Sequence, residues 1–300
     1  METYSSEKIN SILNYSKMLV DSMSDGCRDE LTRYKYLIFA GMILYYGREN
    51  IQVIYDAFLK TDLVLVDEKL INFFDRCFDF SADVMNEVSA LRPQAYLSPK
   101  EISGRRNIYV SKTGDHSEVG IIYSLIQEYN KVINSINTSS SFKNRYVTGR
   151  RGIRYVDSSD GQVKNGILEE TINAFQTEEI MREVLGFYHY DIGDDELKCM
   201  IQSIAFKSDD RDFKSGFEMT MPLVKPLYVD DKFRQLLKEA RFNGDVAAIE
   251  DLFNSKTQDG GFKKFSMALD SIGIGECPDY VLEINAGITQ ELVKQYSKHL

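Results

Sequence analysis

Apolar residues recur at steps of three and four over most of the chain, the spacing of helices with one buried face. Ile9, Ile12, Leu13, Tyr15, Met18 and Leu19 mark a first helix that runs down near Ser24 to Gly26. A second spans about Arg28 to Tyr46 and stops at Gly47, a residue suited to ending a helix. A third, Ile51 to Leu59, puts Ile51, Ile54, Tyr55 and Phe58 on one face. Glu68 to about Leu91 repeats the pattern with Leu70, Phe73, Phe74, Cys77 and Phe78. Two stretches break the helical period. Leu63 to Val66 is apolar and β-branched, and Asn107 to Ser111 alternates, so both predict short strands. Between the strands, Pro93 and Pro99 predict a linker over Pro93 to Arg106.

The most regular stripe lies in Asp115 to Ile136. Val119, Ile122, Ile126, Tyr129, Ile133 and Ile136 share one face, and Asp115 with Glu118 has a capping-box spacing. Residues 137 to 164 predict loop or hairpin, with short β-rich runs on either side of Gly149. The cations there, Lys143, Arg145, Arg150, Arg151 and Arg154, read as a solvated basic loop, with an anion or acidic-partner site as the alternative. A helix starts near Asn165 with Ile167, Leu168, Ile172 and Phe175, and Thr177 predicts a fresh start for Glu178 to Leu185. Beyond Asp194 the pattern predicts helices at Glu196 to Phe206, Asp231 to Phe242, Asp245 to Phe253, Phe262 to Ser271 and Thr289 to Lys298. The sum is a mainly α (α+β) protein with a small sheet. Its expected blocks are an N-terminal helical region (1–92), a core (93–190) and a C-terminal helical region packed on it (191–300).

Composition narrows the function classes. An apolar fraction of 43% supplies a core, and a net charge of -10 argues against a nucleic-acid partner. The most apolar run, Tyr36 to Tyr46, is shorter than the ~20 residues of a membrane span. No basic start followed by an apolar run is present, so a cytoplasmic, membrane-free protein is expected. Cys27, Cys77, Cys199 and Cys277 form no CxxC pair, and the three histidines lack an i, i+4 pairing. No glycine pattern supports nucleotide binding.

The candidate chemistry sits in the middle of the Asp115 helix. Gln127-Glu128-Tyr129-Asn130-Lys131 has the shape of an HExxH motif with both histidines replaced. In such a motif two imidazoles one turn apart hold zinc, and the glutamate polarises water. Downstream, Asn165-Gly-Ile-Leu-Glu169-Glu170-Thr-Ile-Asn173 offers acids on a later helix. Taken in order, strand, pentad helix and acidic helix resemble the zincin-like metallopeptidases whose third ligand is a glutamate. The resemblance covers roughly the last two-thirds of the chain. It treats Asn107 to Ser111 as an edge-type strand and implies a zincin-like core.

Carried over residue by residue, the resemblance places Glu128 at the catalytic glutamate, as a vestigial general base. Gln127 and Lys131 stand at the histidines, and Glu170, or Glu169 beside it, stands at the third ligand. Glutamine is a weak zinc ligand and a lysine ammonium repels a cation. The expectation is therefore no metal, no cofactor and a catalytically inactive relative that keeps a peptide- or protein-binding cleft. Two other readings remain: an active metal-dependent hydrolase with substituted ligands, and a purely structural or interaction protein in which Glu128 and Lys131 form an ordinary helix pair. With the ion gone, Lys131 is expected to pair with Glu170 or Glu169, since a buried lone carboxylate costs several kcal/mol.

Overall fold

The computed structural model describes residues 6–23, 30–66, 95–102, 105–111, 118–133, 135–136, 150–156, 163–191, 216–273 and 279–300. The expected helices at 68–91 and 196–206, the Asp115 cap and all four cysteines lie outside them. Helices dominate the described residues: α1 (Ser6–Met23), α2 (Glu30–Tyr46), α3 (Ile51–Leu59), α4 (Glu118–Ile133), α5 (Gly166–Asp191), α6 (Gly216–Tyr228), α7 (Asp231–Asn243), α8 (Ala247–Lys256), α9 (Gly261–Gly273) and α10 (Asp279–Ser297). None of them is long and apolar enough to cross a membrane. Strands β1 (Thr61–Val66), β2 (Ala95–Ile102) and β3 (Arg105–Ser111) form one small sheet. The short strands β4 (Ser135–Ile136), β5 (Arg150–Arg151), β6 (Arg154–Val156) and β7 (Val163–Lys164) form another.

The chain divides into two compact units that cut across the sequential blocks expected above. One holds residues 1–85, 89–133 and 175–210; the other holds 86–88, 134–174 and 211–300. Helix α5 begins in the second and ends in the first.

In the first unit α2 is the central rod. Leu37, Ile38, Phe39, Ala40 and Met42 have at most 1% of their surface exposed. A helix apolar all round belongs inside a core, which accounts for this run without a membrane. Gly47, at φ 90°, ends it, and its N–H reaches Ile43 O at 3.0 Å. Phe58 of α3 meets Phe39 edge-on at 5.0 Å and stacks on Tyr129 of α4 at 3.9 Å. Burying each such side chain contributes about 1.5–3 kcal/mol. The α3–β1 corner is closed by Thr61, whose hydroxyl donates to Ala57 O at 2.7 Å while Arg106 N donates to Lys60 O at 2.8 Å.

The sheet corrects the linker expectation. Residues 95–102 are not a connection but strand β2, antiparallel to β3. The register shifts between Leu97 and Glu101, and Pro99 sits in that irregularity, where its missing N–H breaks no ladder. With β1 parallel on the other side, β3 is the central strand rather than an edge. Its alternation is as expected: Ile108 and Val110 are buried while Asn107 and Tyr109 are half-exposed.

In the second unit Phe253 is the hub. Phe265, Tyr296 and Phe262 lie 5.1, 5.3 and 5.8 Å from its ring centre, and Phe233 completes the group at 6.4 Å. Asp230 caps α7 by accepting from Lys232 N and Phe233 N. The same carboxylate takes Lys256 Nζ at 2.8 Å and the Tyr296 hydroxyl at 2.5 Å, so one side chain ties α7, α8 and α10.

Several expected boundaries change; helix α10, for one, begins at Asp279 rather than Thr289. Helix α5 runs unbroken through Thr177, because its buried series continues from Leu168 and Ile172 to Ile180, Val184 and Phe187. Helix α6 is absent from the sequence reading because Pro222 and Pro226 break the pattern. Buried Val224 and Leu227 and the Thr171–Thr220 hydroxyl contact at 3.1 Å hold it all the same. The α4 helix ends at Ile133, and Ile136 belongs to β4. The hairpin turns at Gly152 and Ile153 rather than at Gly149; Gly152 has φ 58°, which suits the first central position of a type II′ turn.

Two expected outcomes follow. A Cβ at Gly41 would lie 2.5 Å from Val184 Cγ2, whereas one at Gly186 meets nothing within 4 Å. Gly41→Leu is expected to lose about 1–3 kcal/mol in a urea titration by overpacking. Gly186→Ala is expected to gain about 1 kcal/mol by helix propensity. For Asp230, burial alone would raise the carboxyl, but Lys256, the Tyr296 hydroxyl and the Lys232 N–H outweigh it and bring it from 3.8 to about 2. Its contribution to stability is complete above the unfolded value and lost as pH falls toward 2. Asp230→Asn should therefore flatten the acid limb of a stability-versus-pH profile over that window.

Candidate functional site

The pentad occupies the C-terminal half of α4, whose seating needs no ligand. Ile122, Leu125, Ile126 and Tyr129 are fully buried, so an apolar face holds the helix. Asn130 is fully buried too and accepts the Tyr46 hydroxyl, which also lies 3.2 Å from Gln176 Oε1. Burial keeps the Tyr129 hydroxyl neutral by pushing its titration well above the ordinary value, with a smaller contribution from Asp62. Two pentad residues are thus core residues.

The other three are less deeply buried. Gln127 and Lys131 are half-buried, and Glu128 is only 7% exposed. Lys131 Nζ lies 2.9 Å from Glu128 Oε1, one helical turn away. An exposed pair of this spacing is worth about 0.2–0.5 kcal/mol. Here the carboxylate has little water to fall back on, so the ammonium is its local counter-charge.

Glu169 and Glu170 stand in the first turns of α5. Its start is built by three side chains. Asn165 takes the left-handed conformation (φ 57°), donates to Ile153 O at 3.1 Å and accepts from Ser266. Asp270 reaches across from α9 to accept Ile167 N at 2.9 Å, an acid answering a helix N-terminus. Burial raises the Asp270 carboxyl despite these backbone donors.

Glu169 is 1% exposed and fully engaged. Its Oε1 accepts Arg241 Nε at 3.0 Å and Nη2 at 2.6 Å, and its Oε2 accepts Ile153 N at 3.1 Å. Arg241 Nη2 also reaches Asn173 Oδ1 at 3.3 Å. Glu170, the next residue, is half-buried.

Sequence reasoning expected Lys131 to serve Glu170 or Glu169. Of these two acids Glu169 goes to Arg241, and Lys131 has Glu128 on its own helix at 2.9 Å. Arg241, Asn165, Asn173 and Gly152 were all missed. A signal for Arg241 was present: it continues the buried series Phe233, Leu237 and Ala240 of α7, a lone cation on an apolar stripe. The Tyr188-His189-Tyr190 backbone is the end of α5, and Arg150, Arg151 and Arg154 of the basic segment fall in β5 and β6.

A zinc ion does not fit these donors. Gln127 offers a weak neutral oxygen, Lys131 brings a positive charge, and both Glu169 oxygens are committed. Among the described residues no three His, Cys, Asp or Glu side chains converge. No protein-family model, no curated protein and no solved structure matches the chain.

Removing one partner of a buried pair leaves the other charge without compensation. Arg241→Met should lower unfolding stability by about 3–5 kcal/mol. In Arg241→Met/Glu169→Leu much of that loss should return. Equal losses in the single and double variants would mean that the pair itself is not the source.

Proposed function

We propose that this protein is a catalytically inactive, zincin-like relative of metallopeptidases that binds a peptide or protein. The observation that carries this reading is the Lys131 ammonium 2.9 Å from the Glu128 carboxylate. In the active motif that glutamate acts on water beside a divalent cation. Here it is matched by a fixed positive charge on its own helix, at a position that would supply a ligand. A second cation in that space would meet charge repulsion, and the vestigial base keeps a partner without metal. The apolar seating of α4 supports a cleft wall that outlives the ion, since no side chain of the buried stripe depends on it. One observation favours the purely structural reading: Glu169 is spent on a closed network with Arg241.

Metal binding and peptide selection test the proposal. Purified without chelator, the protein should carry no stoichiometric zinc and cleave no peptide. Gln127→His/Lys131→His should gain zinc affinity in a competition titration if the zincin arrangement persists. Chelator-sensitive proteolysis lost in Glu128→Gln would establish the active-hydrolase alternative. On a random peptide array the protein should enrich a defined set of sequences, and Lys131→Met should change that set. An array without enrichment would leave the structural reading.

A further inference from the structure

The hairpin of α9 and α10 presents a face to solvent that is apolar along its middle and charged at its rim. Met267 is 53% exposed, Tyr280 65% and Ile284 58%. Clustered exposure of large apolar side chains marks interaction surfaces more often than single exposed ones do. Lys263, Lys264, Met267 and Ser271 repeat at steps of three and four on α9, and Lys264 and Met267 line one groove with Asn285 and Ile288 of α10. On α10, Tyr280, Ile284, Ile288 and Glu291 form the matching stripe, with Gln295 donating to Glu291 at 3.1 Å. The ion pairs Arg234–Asp231, Arg241–Glu169 and Lys256–Asp230 lie elsewhere in this unit. Among the described residues, Lys263, Lys264 and Glu291 thus have no oppositely charged partner.

We propose that this face is the interface of a homodimer, with a second copy of the chain as its occupant. The charges select that partner and its orientation. Positive charge lies on α9 and negative charge on α10, so the patch complements itself, as a two-fold interface requires. The five residues from 274 to 278 make α9 and α10 antiparallel neighbours, which sets Lys264 level with Ile288 and Glu291, and Met267 level with Ile284. A two-fold axis parallel to the helices then lays α9 of one protomer across α10 of its partner. Lys263 and Lys264 meet the partner's Glu291, Met267 meets the partner's Ile284, and each helix is antiparallel to its neighbours in a four-helix arrangement. An axis across the helices would instead stack α9 on α9 and α10 on α10, and would pair no charges. Helix α9 is only about 20 Å long at 1.5 Å per residue, so the patch is at the small end of specific interfaces and the dimer is a reversible one. Glu283 flanks Ile284, Lys294 lies in the last turn of α10 and Lys298 just beyond it; none is needed for the match.

Sedimentation velocity on the full chain over micromolar to submillimolar concentration tests this. The wild type should show a concentration-dependent monomer–dimer equilibrium, and Met267→Asp/Ile284→Asp should be monomeric throughout. Lys263→Glu/Lys264→Glu and Glu291→Lys should each weaken the dimer by about tenfold or more. An equimolar mixture of those two proteins should dimerise more strongly than either alone, because each then supplies the charge the other lost. Circular dichroism should be unchanged in all three variants, since every altered side chain is at the surface. A wild type that stays monomeric overturns the proposal. So does a dimer indifferent to Met267→Asp/Ile284→Asp, or a mixture no stronger than its components.

Discussion

The second unit is arranged around one constraint: the carboxylate of Glu169 is buried and must be satisfied. A charge with 1% exposure has little access to water, so both of its oxygens need protein donors. Arg241 supplies two N–H groups and Ile153 supplies a third from its backbone. Each demand fixes something further away. Ile153 can present its N–H because Gly152 turns the hairpin at positive φ. A Cβ at Gly152 would lie 2.3 Å from the same carboxylate, so the position excludes any side chain. Arg241 must sit on the inner face of α7, and Asn165 must hold the hairpin against the start of α5. A hairpin, two helices and a turn glycine are tied to a single acid.

The first unit is governed differently. Its helices are held by apolar contact, and its polar groups are attached to that core rather than organising it. Tyr129 and Asn130 are fully buried members of the pentad, and both face inward from α4. The other three, Gln127, Glu128 and Lys131, keep more access to solvent. Glu128 and Lys131 answer each other within one turn of one helix, and such a pair needs no ion and no second element. The helix itself is held by its apolar face, Ile122, Leu125, Ile126 and Tyr129. Two acids that look alike in sequence differ here: Glu128 has a cation on its own helix, and Glu169 has one 72 positions away.

Elements whose stability comes from their own side-chain period were legible in the chain. Helices α2, α3, α4 and α7 and strands β1 and β3 fall close to where hydrophobic spacing places them, because a buried stripe is a local pattern. The end of α2 at Gly47 and the cap at Asp230 are local as well. What was misplaced depended on partners. Pro99 made β2 look like a linker, though a register shift against β3 accommodates it. Pro222 and Pro226 hid α6, which is held by burial of Val224 and Leu227. Thr177 looked like a helix start because a threonine side chain competes for backbone only where it is not packed.

The sequence by itself determined the mainly helical class, the pentad's place on an amphipathic helix and the unsuitability of Gln127 and Lys131 as zinc ligands. Those follow from residue chemistry and from spacing along one helix. Only the tertiary structure decided which charges meet. Ion pairing depends on distance in space, and a guanidinium on α7 is invisible to any local pattern around Glu169. The same holds for the central place of β3, which needed β2 on its other side, and for Gly152, whose missing side chain matters only because a buried carboxylate stands against it.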